Sequence, residues 1–238
     1  MKKVNIITLI IIAGCLSFGS MLSGCLKLQK DYNRVTNVDT LDAHVYTTAW
    51  GYIKRRAYGS ATDTIFRRFY DAIIYSGIDT NEYTKQGRTY ILLSNSEITT
   101  ASTGFWAKVT VNGAAAKSWA SYSKTDVKTY LQYLIAQGLY SHYGLGITDQ
   151  PFTTLAPQGS YTTQNTTTFK FNTGTFVANP NSIMLVHVSN ANTVTSQLDY
   201  PIVINGVTNI TSSDLEATNG IIQVINSGSS IVTPFLPQ

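Results

Sequence analysis

The chain has 238 residues, enough for one large domain or two small ones. Hydrophobic residues make up 43% and charged residues 13%, about half the usual charged share, which is the reverse of the balance that keeps a chain disordered. The formal charge of +4 falls to +2 when Lys2 and Lys3 of a leader are set aside (15 Lys/Arg against 13 Asp/Glu), too little for a phosphate-binding footprint, which argues against nucleic acid as a partner.

Residues 1–24 read as an export leader. Lys2 and Lys3 give the positive start, Ile6 to Ala13 the apolar stretch, and small residues lead to Leu22-Ser23-Gly24-Cys25. That tetrapeptide resembles the lipobox of bacterial lipoproteins. The resemblance implies cleavage before Cys25 and acylation at that residue, with two or three acyl chains holding the protein on a membrane where one would not. Two other readings stand beside it. Ile12-Ala13-Gly14-Cys15 is a rival lipobox with a short leader of 14 residues. An uncleaved membrane helix over residues 4–24 is the other, weakened by Ser17, Gly19, Ser20 and Ser23. Cys15 and Cys25 are the two cysteines of the chain, so the mature domain is expected to hold no disulfide and no cysteine metal site.

Residues 25–40 lack an apolar period and read as the lipidated cysteine and a tether; residues 41–238 read as a single domain. Helical signals come first. Thr47 to Arg56 places Trp50, Ile53 and Ala57 on one face. Thr62 is the expected cap of a second helix, with Ile65, Phe66, Phe69, Ile73 and Ile74 as its buried stripe and Gly77 as its stop. Next come a short apolar run, Tyr90 to Leu93, and a strand Lys108–Val111 that ends at Asn112-Gly113. The insert 99–122 is expected to be exposed. A third helix starts at Ser123 with Asp126 in a capping box, buries Val127, Tyr130, Leu131, Leu134 and Ile135, and ends at Gly138. Strands follow at 168–171, 183–188, 202–204 before Asn205-Gly206, and 221–225 after Asn219-Gly220. Helices first and mostly antiparallel strands later predict an α+β domain.

A family resemblance lies in the C-terminal stretch. Ile202-Val203-Ile204-Asn205-Gly206, then Asp214-Leu215-Glu216-Ala217-Thr218-Asn219-Gly220-Ile221-Ile222-Gln223-Val224-Ile225 and the closing Leu236-Pro237, resemble the last segment of the fasciclin domain. Thr89 to Ile98 falls where that family has its first signature, and Leu131 to His142 where it has a second with a Tyr-His pair. Here Leu92-Leu93 replaces an Ala-Pro, Ser141 splits Tyr140 from His142, and Gln223 replaces a late His. The resemblance, with the lipobox, is to fasciclin-type lipoproteins of the Bacteroidetes. It implies a fasciclin-like fold, helices packed on a mostly antiparallel sandwich or wedge, and an adhesion role. It also implies an outer-membrane address, with the periplasmic or surface face left open.

No catalytic constellation is visible. His44, His142 and His187 share no metal-ligand spacing, and His187 reads as a satisfied strand residue. Asp214 and Glu216 would share a strand face, but the fasciclin resemblance implies that Asp214 marks a turn. Nucleophile-elbow and phosphate-loop motifs are absent from the sequence. Neither a cofactor nor a metal is expected. Fifteen Tyr and three Trp are the compositional oddity. Most are expected to cover helix and sheet faces; Trp119, Tyr122, Tyr140, Tyr143 and Tyr161 are the candidates for contact with a glycan or an outer-membrane protein. The expected function is a non-enzymatic adhesion or binding lipoprotein. An accessory subunit of a glycan importer and a surface or periplasmic hydrolase are the alternatives; a large apolar patch on the first two helices would favour the subunit.

Overall fold

Two of the most apolar runs of the chain lie side by side, though far apart in sequence. In the computed structural model, β1 (Arg88–Leu93) pairs in parallel with β11 (Gly220–Ile225), from Arg88 opposite Gly220 to Leu93 opposite Ile225. The structure describes residues 42–163, 168–172, 177–189, 200–226 and 230–237. The leader, Cys25 and the 26–40 tether lie outside the described residues. Residues 43–238 form one unit.

The central sheet has the order β10-β11-β1-β4, with β10 (Ser212–Ala217) and β4 (Ile135–Gln137) antiparallel at its edges. Its two inner strands are covered on both faces, which is why they read as continuous apolar runs without alternation. On one face Tyr90 stacks on Tyr83, which meets Trp50 of α1 (Ala49–Tyr58) and Phe69 of α2 (Arg67–Ser76). On the other, Thr89, Ile91 and Gln223 face Met184, Val186, Ile202 and Ile204 around a void of only about 10 Å³. Those partners belong to a second sheet of order β5-β7-β8-β9, built from β5 (Gln150–Thr153), β7 (Ile183–Val188), β8 (Ile202–Ile204) and β9 (Thr208–Asn209). A small third sheet joins β2 (Val109–Val111), β3 (Ala114–Ala115) and β6 (Lys170–Phe171). The class is α+β, with antiparallel pairing everywhere among the described strands except β1–β11. Among the described residues no helix is long and apolar enough to cross a membrane.

Local chemistry accounts for several boundaries. Thr48 caps α1, its hydroxyl accepting from the Gly51 N–H. Gly77 ends α2 in the left-handed region at φ 66°, where a side chain would be strained. Asn112-Gly113 and Asn205-Gly206 take positive φ at both residues, the pattern of tight hairpin turns, and join β2 to β3 and β8 to β9. Ser123 caps α5 (Lys124–Tyr133) by accepting from the Asp126 N–H at 3.0 Å.

Elsewhere tertiary contacts overrule the local signal. Thr62 does not cap α2. That helix begins at Arg67, and the Arg68 N–H is taken by Asn95 Oδ1 at 2.8 Å, from a residue 27 positions away. Ile74 faces outward and is 54% exposed. The third helix stops at Tyr133, because Ile135 leaves to pair with Tyr90 in β4. Lys108 closes a short helix, α4 (Phe105–Lys108), before β2 begins. Asn219-Gly220 makes no positive-φ turn. Asn219 is buried instead: its Oδ1 accepts from the Ala49 N–H at 2.8 Å, and its amide donates to Tyr83 O and Lys85 O. Gly220 is required because a Cβ there would stand 2.1 Å from Arg88 O of the parallel neighbour.

Candidate functional site

The aromatic candidates separate by burial. Trp119, Tyr122 and Tyr161 are 5%, 3% and 7% exposed, so the expectation that they sit at the surface is corrected. The insert 99–122 is divided: Phe105, Val109, Trp119 and Tyr122 fold onto the core, while residues 101–103, 112–115, 117–118 and 120–121 are exposed. Phe105, at the start of α4, is its centre, with ring centroids 5.3 Å from Trp119, 5.9 Å from Tyr122 and 4.8 Å from Tyr130. The polar tips reach backbone carbonyls of other segments. Trp119 Nε1–H donates to Arg68 O at 2.7 Å, Tyr122 to Val109 O at 2.6 Å and Tyr130 to Val232 O at 2.9 Å. Tyr161 packs edge-on against Tyr133 and Phe235. Tyr140 is half-buried, stacked on Phe152 at 3.4 Å between centroids, with its hydroxyl donating to Gln137 O; its ring is committed inside the fold.

Tyr143 alone of the five is open, at 84% exposure. With Leu139, 60% exposed, it lines a concavity of about 360 Å³ that also includes Gln86, Asp214, Glu216, Thr218 and Ile221. Four segments build this place: the turn before β1, the loop after β4, the edge strand β10, and the start of β11 with the residues leading into it.

A β-bulge shapes the edge. The β10–β11 register shifts between Ser212 and Leu215, and Asp214 takes φ 58°. The expected turn at Asp214 is therefore a bulge inside the strand. Gln223 of β11 clamps it, accepting from the Asp214 N–H and donating to Asp214 Oδ1, both at 3.0 Å, and also donating to Tyr140 O. Asp214 Oδ2 accepts from the His142 N–H at 3.1 Å and lies 3.2 Å from His142 Nδ1. His142 Nε2 lies 2.8 Å from Tyr200 O. The carboxylate thus ties the loop carrying Tyr143 to the sheet edge. Glu216, in the same strand, meets His44 Nε2 at 2.8 Å. Its backbone is bridged by residues 43–45, with Glu216 N–H donating to Ala43 O and Val45 N–H to Glu216 O, which covers part of the strand's outer edge.

The Asp214 carboxylate is committed within the fold. A catalytic acid, base or nucleophile needs an oxygen free to meet the substrate. Both oxygens of Asp214 already accept hydrogen bonds within the fold, and Glu216 Oε2 lies 2.8 Å from His44 Nε2. His187 lies 2.6 Å from Asp149 through Nδ1 and is half-buried in β7. Among the described residues no group of three His, Cys, Asp or Glu could hold a metal ion.

One ionisable group escaped the reading of the sequence. Glu97, in the first turn of α3 (Asn95–Thr99), is 2% exposed, and its Oε1 has no hydrogen-bond partner. Burial pushes its carboxyl up to about 8. The signal was the Ser94-Asn95-Ser96-Glu97 capping pattern, and Ser94 does accept from the Glu97 N–H. Glu97 is not among the residues lining the concavity.

No family model matches the chain, and no curated protein matches it. Among solved structures it is similar to the domain pair of the insect cell adhesion molecule fasciclin I. The identity is 13% and the TM-score 0.41, over 68% of this chain and 44% of that one. The chain spans less than half the length of that domain pair.

Proposed function

We propose that this chain is a non-enzymatic binding module of the adhesion type, of fasciclin-like descent, carried on a bacterial outer membrane by lipid on Cys25. Its contact surface is the concavity beside Tyr143 and Leu139. The observation that carries this reading is the joint exposure of those two side chains at a mostly apolar concavity edged by a few polar groups, while the other aromatic candidates are built into the fold. An open tyrosine ring offers flat area to a sugar or an apolar side chain, and Gln86, Thr218 and Glu216 offer direction. The engagement of Asp214 by His142 and Gln223 supports a structural rather than a hydrolytic role for that carboxylate.

The test is retention of the purified chain on a panel of polysaccharides and on outer-membrane proteins from its own cell. Retention on either, lost in Leu139→Ala/Tyr143→Ala and kept in Tyr58→Ala, supports the proposal. Release of reducing sugar ends, abolished by Asp214→Asn or Glu216→Gln, would replace it with a hydrolase. The lipid anchor is tested separately: Cys25→Ser should leave the domain folded and free of membranes in high salt.

A further inference from the structure

The outer side of the α1–α2 hairpin joins aromatic rings to cations. Trp50 stacks on Tyr70 with centroids 5.4 Å apart, and Tyr58 meets Tyr70 edge-on at 5.0 Å. The Arg67 guanidinium lies 3.8 Å from the Tyr58 centroid, and Lys54 Nζ lies 5.7 Å from that of Trp50. Tyr58 and Ile74 are each about half exposed, at 50% and 54%. Residues 49–76 carry five Lys/Arg against Asp63 and Asp71, a net +3. Both acids are occupied, Asp63 by Arg56 and Asp71 by Arg67 and Arg68, while Lys54 has no acidic partner among the described residues.

The chain also enters the domain beside this hairpin. Val45 O accepts from the Arg55 guanidinium at 3.4 Å, and Thr48 caps α1. The 19 residues from 26 to 44 separate Val45 from Cys25 and span about 65 Å at most when extended. An attachment at Cys25 therefore keeps this side within reach of the surface to which the chain is attached.

Half-exposed rings, one aliphatic side chain and cations on long stems suit the headgroup layer of a bilayer. Rings and Ile74 meet the acyl boundary while Lys and Arg stretch to phosphates. We propose that the α1–α2 face docks on an anionic lipid surface and lays the domain against the membrane. The docking itself does not require lipid on Cys25; attachment there raises the local concentration.

The test uses the full chain with vesicles of phosphatidylcholine alone or doped with phosphatidylglycerol. The readout is the rate at which a water-soluble amine reagent acylates Lys54, with Lys85 and Lys170 as internal references. On anionic vesicles Lys54 should react on the order of tenfold more slowly, and on neutral vesicles or in high salt the protection should vanish. Arg67→Glu/Arg68→Glu should abolish the protection; so should Ile74→Glu, a change at an exposed position that leaves the core intact. Equal Lys54 rates on both vesicles overturn the proposal, as does protection that survives both variants. Protection in native envelopes but not on protein-free anionic vesicles assigns the face to an acidic protein and overturns it too. A chain that floats with neither vesicle in high salt, yet floats with the anionic ones at low salt, refutes the anchor and supports the docking face.

Discussion

The cluster around Phe105 and the concavity beside Tyr143 use the same kinds of residue to opposite ends. In the first, Trp119, Tyr122 and Tyr130 are buried, and each polar tip donates to a carbonyl of another segment. In the second, Tyr143 and Leu139 stand open while the polar bonds run beneath them, between Asp214, His142 and Gln223. A tyrosine with a carbonyl in reach ties the interior together; Tyr83 and Tyr161 are buried by ring packing with their hydroxyls unpartnered, and Tyr143 stands open. Among the described residues four tyrosines, Tyr75, Tyr122, Tyr130 and Tyr133, thus join distant segments by donating their hydroxyls to backbone carbonyls, and residue type alone does not mark a contact surface.

Four changes would sharpen or break this contrast. Phe105→Ala should cost the most, about 3–5 kcal/mol in urea unfolding, because the ring touches five other aromatic rings. A loss below about 1 kcal/mol would show that the cluster is not a stabilising core.

Glu97 comes next, since its charge bears on Tyr130 of the same cluster. In the folded chain it holds its proton up to about pH 8; unfolded, it releases it near 4.5. Its contribution is full below about pH 4.5 and is lost as pH rises toward about 8. Glu97→Gln should therefore gain on the parent by a few kcal/mol across that window and hold a constant difference above it. Parallel stability–pH curves for the two proteins would refute the burial of an uncompensated carboxyl.

Tyr122→Phe should cost about 1–2 kcal/mol, because it removes one buried hydrogen bond and leaves Val109 O unpaired while keeping the ring. Tyr143→Ala should change stability by no more than about 0.5 kcal/mol. That variant should lose partner retention all the same. If Tyr143→Ala unfolds as readily as Tyr122→Phe, the division into interior and contact aromatics fails.

Much of the element order was legible because it depends on chemistry within a few residues. Ser123 caps a helix and Gly77 stops one whether or not the rest of the domain is present, and Asn112-Gly113 and Asn205-Gly206 form tight turns for the same backbone reason. The signal at Asn219-Gly220 marked the right place for a different reason: Asn219 bonds to α1 and to the 83–85 segment, and Gly220 makes room for Arg88. The candidate site was legible in one residue, Tyr143. The bulge at Asp214 and its bonds through Gln223, His142 and Tyr140 join residues up to 83 positions apart, and no local pattern announces them.

By itself, then, the sequence determined an α+β chain, the tight turns at Asn112-Gly113 and Asn205-Gly206, the Ser123 cap and the Gly77 stop, and the apolar runs that became β1 and β11. Each follows from backbone geometry or from the hydrophobicity of neighbouring residues. Only the tertiary structure decided that those two runs pair in parallel, that Asn95 rather than Thr62 serves the start of α2, and that Trp119, Tyr122 and Tyr161 turn inward while Tyr143 does not. Burial and hydrogen-bond completion depend on which distant segment arrives at a side chain, and that is settled when the sheets and helices pack together.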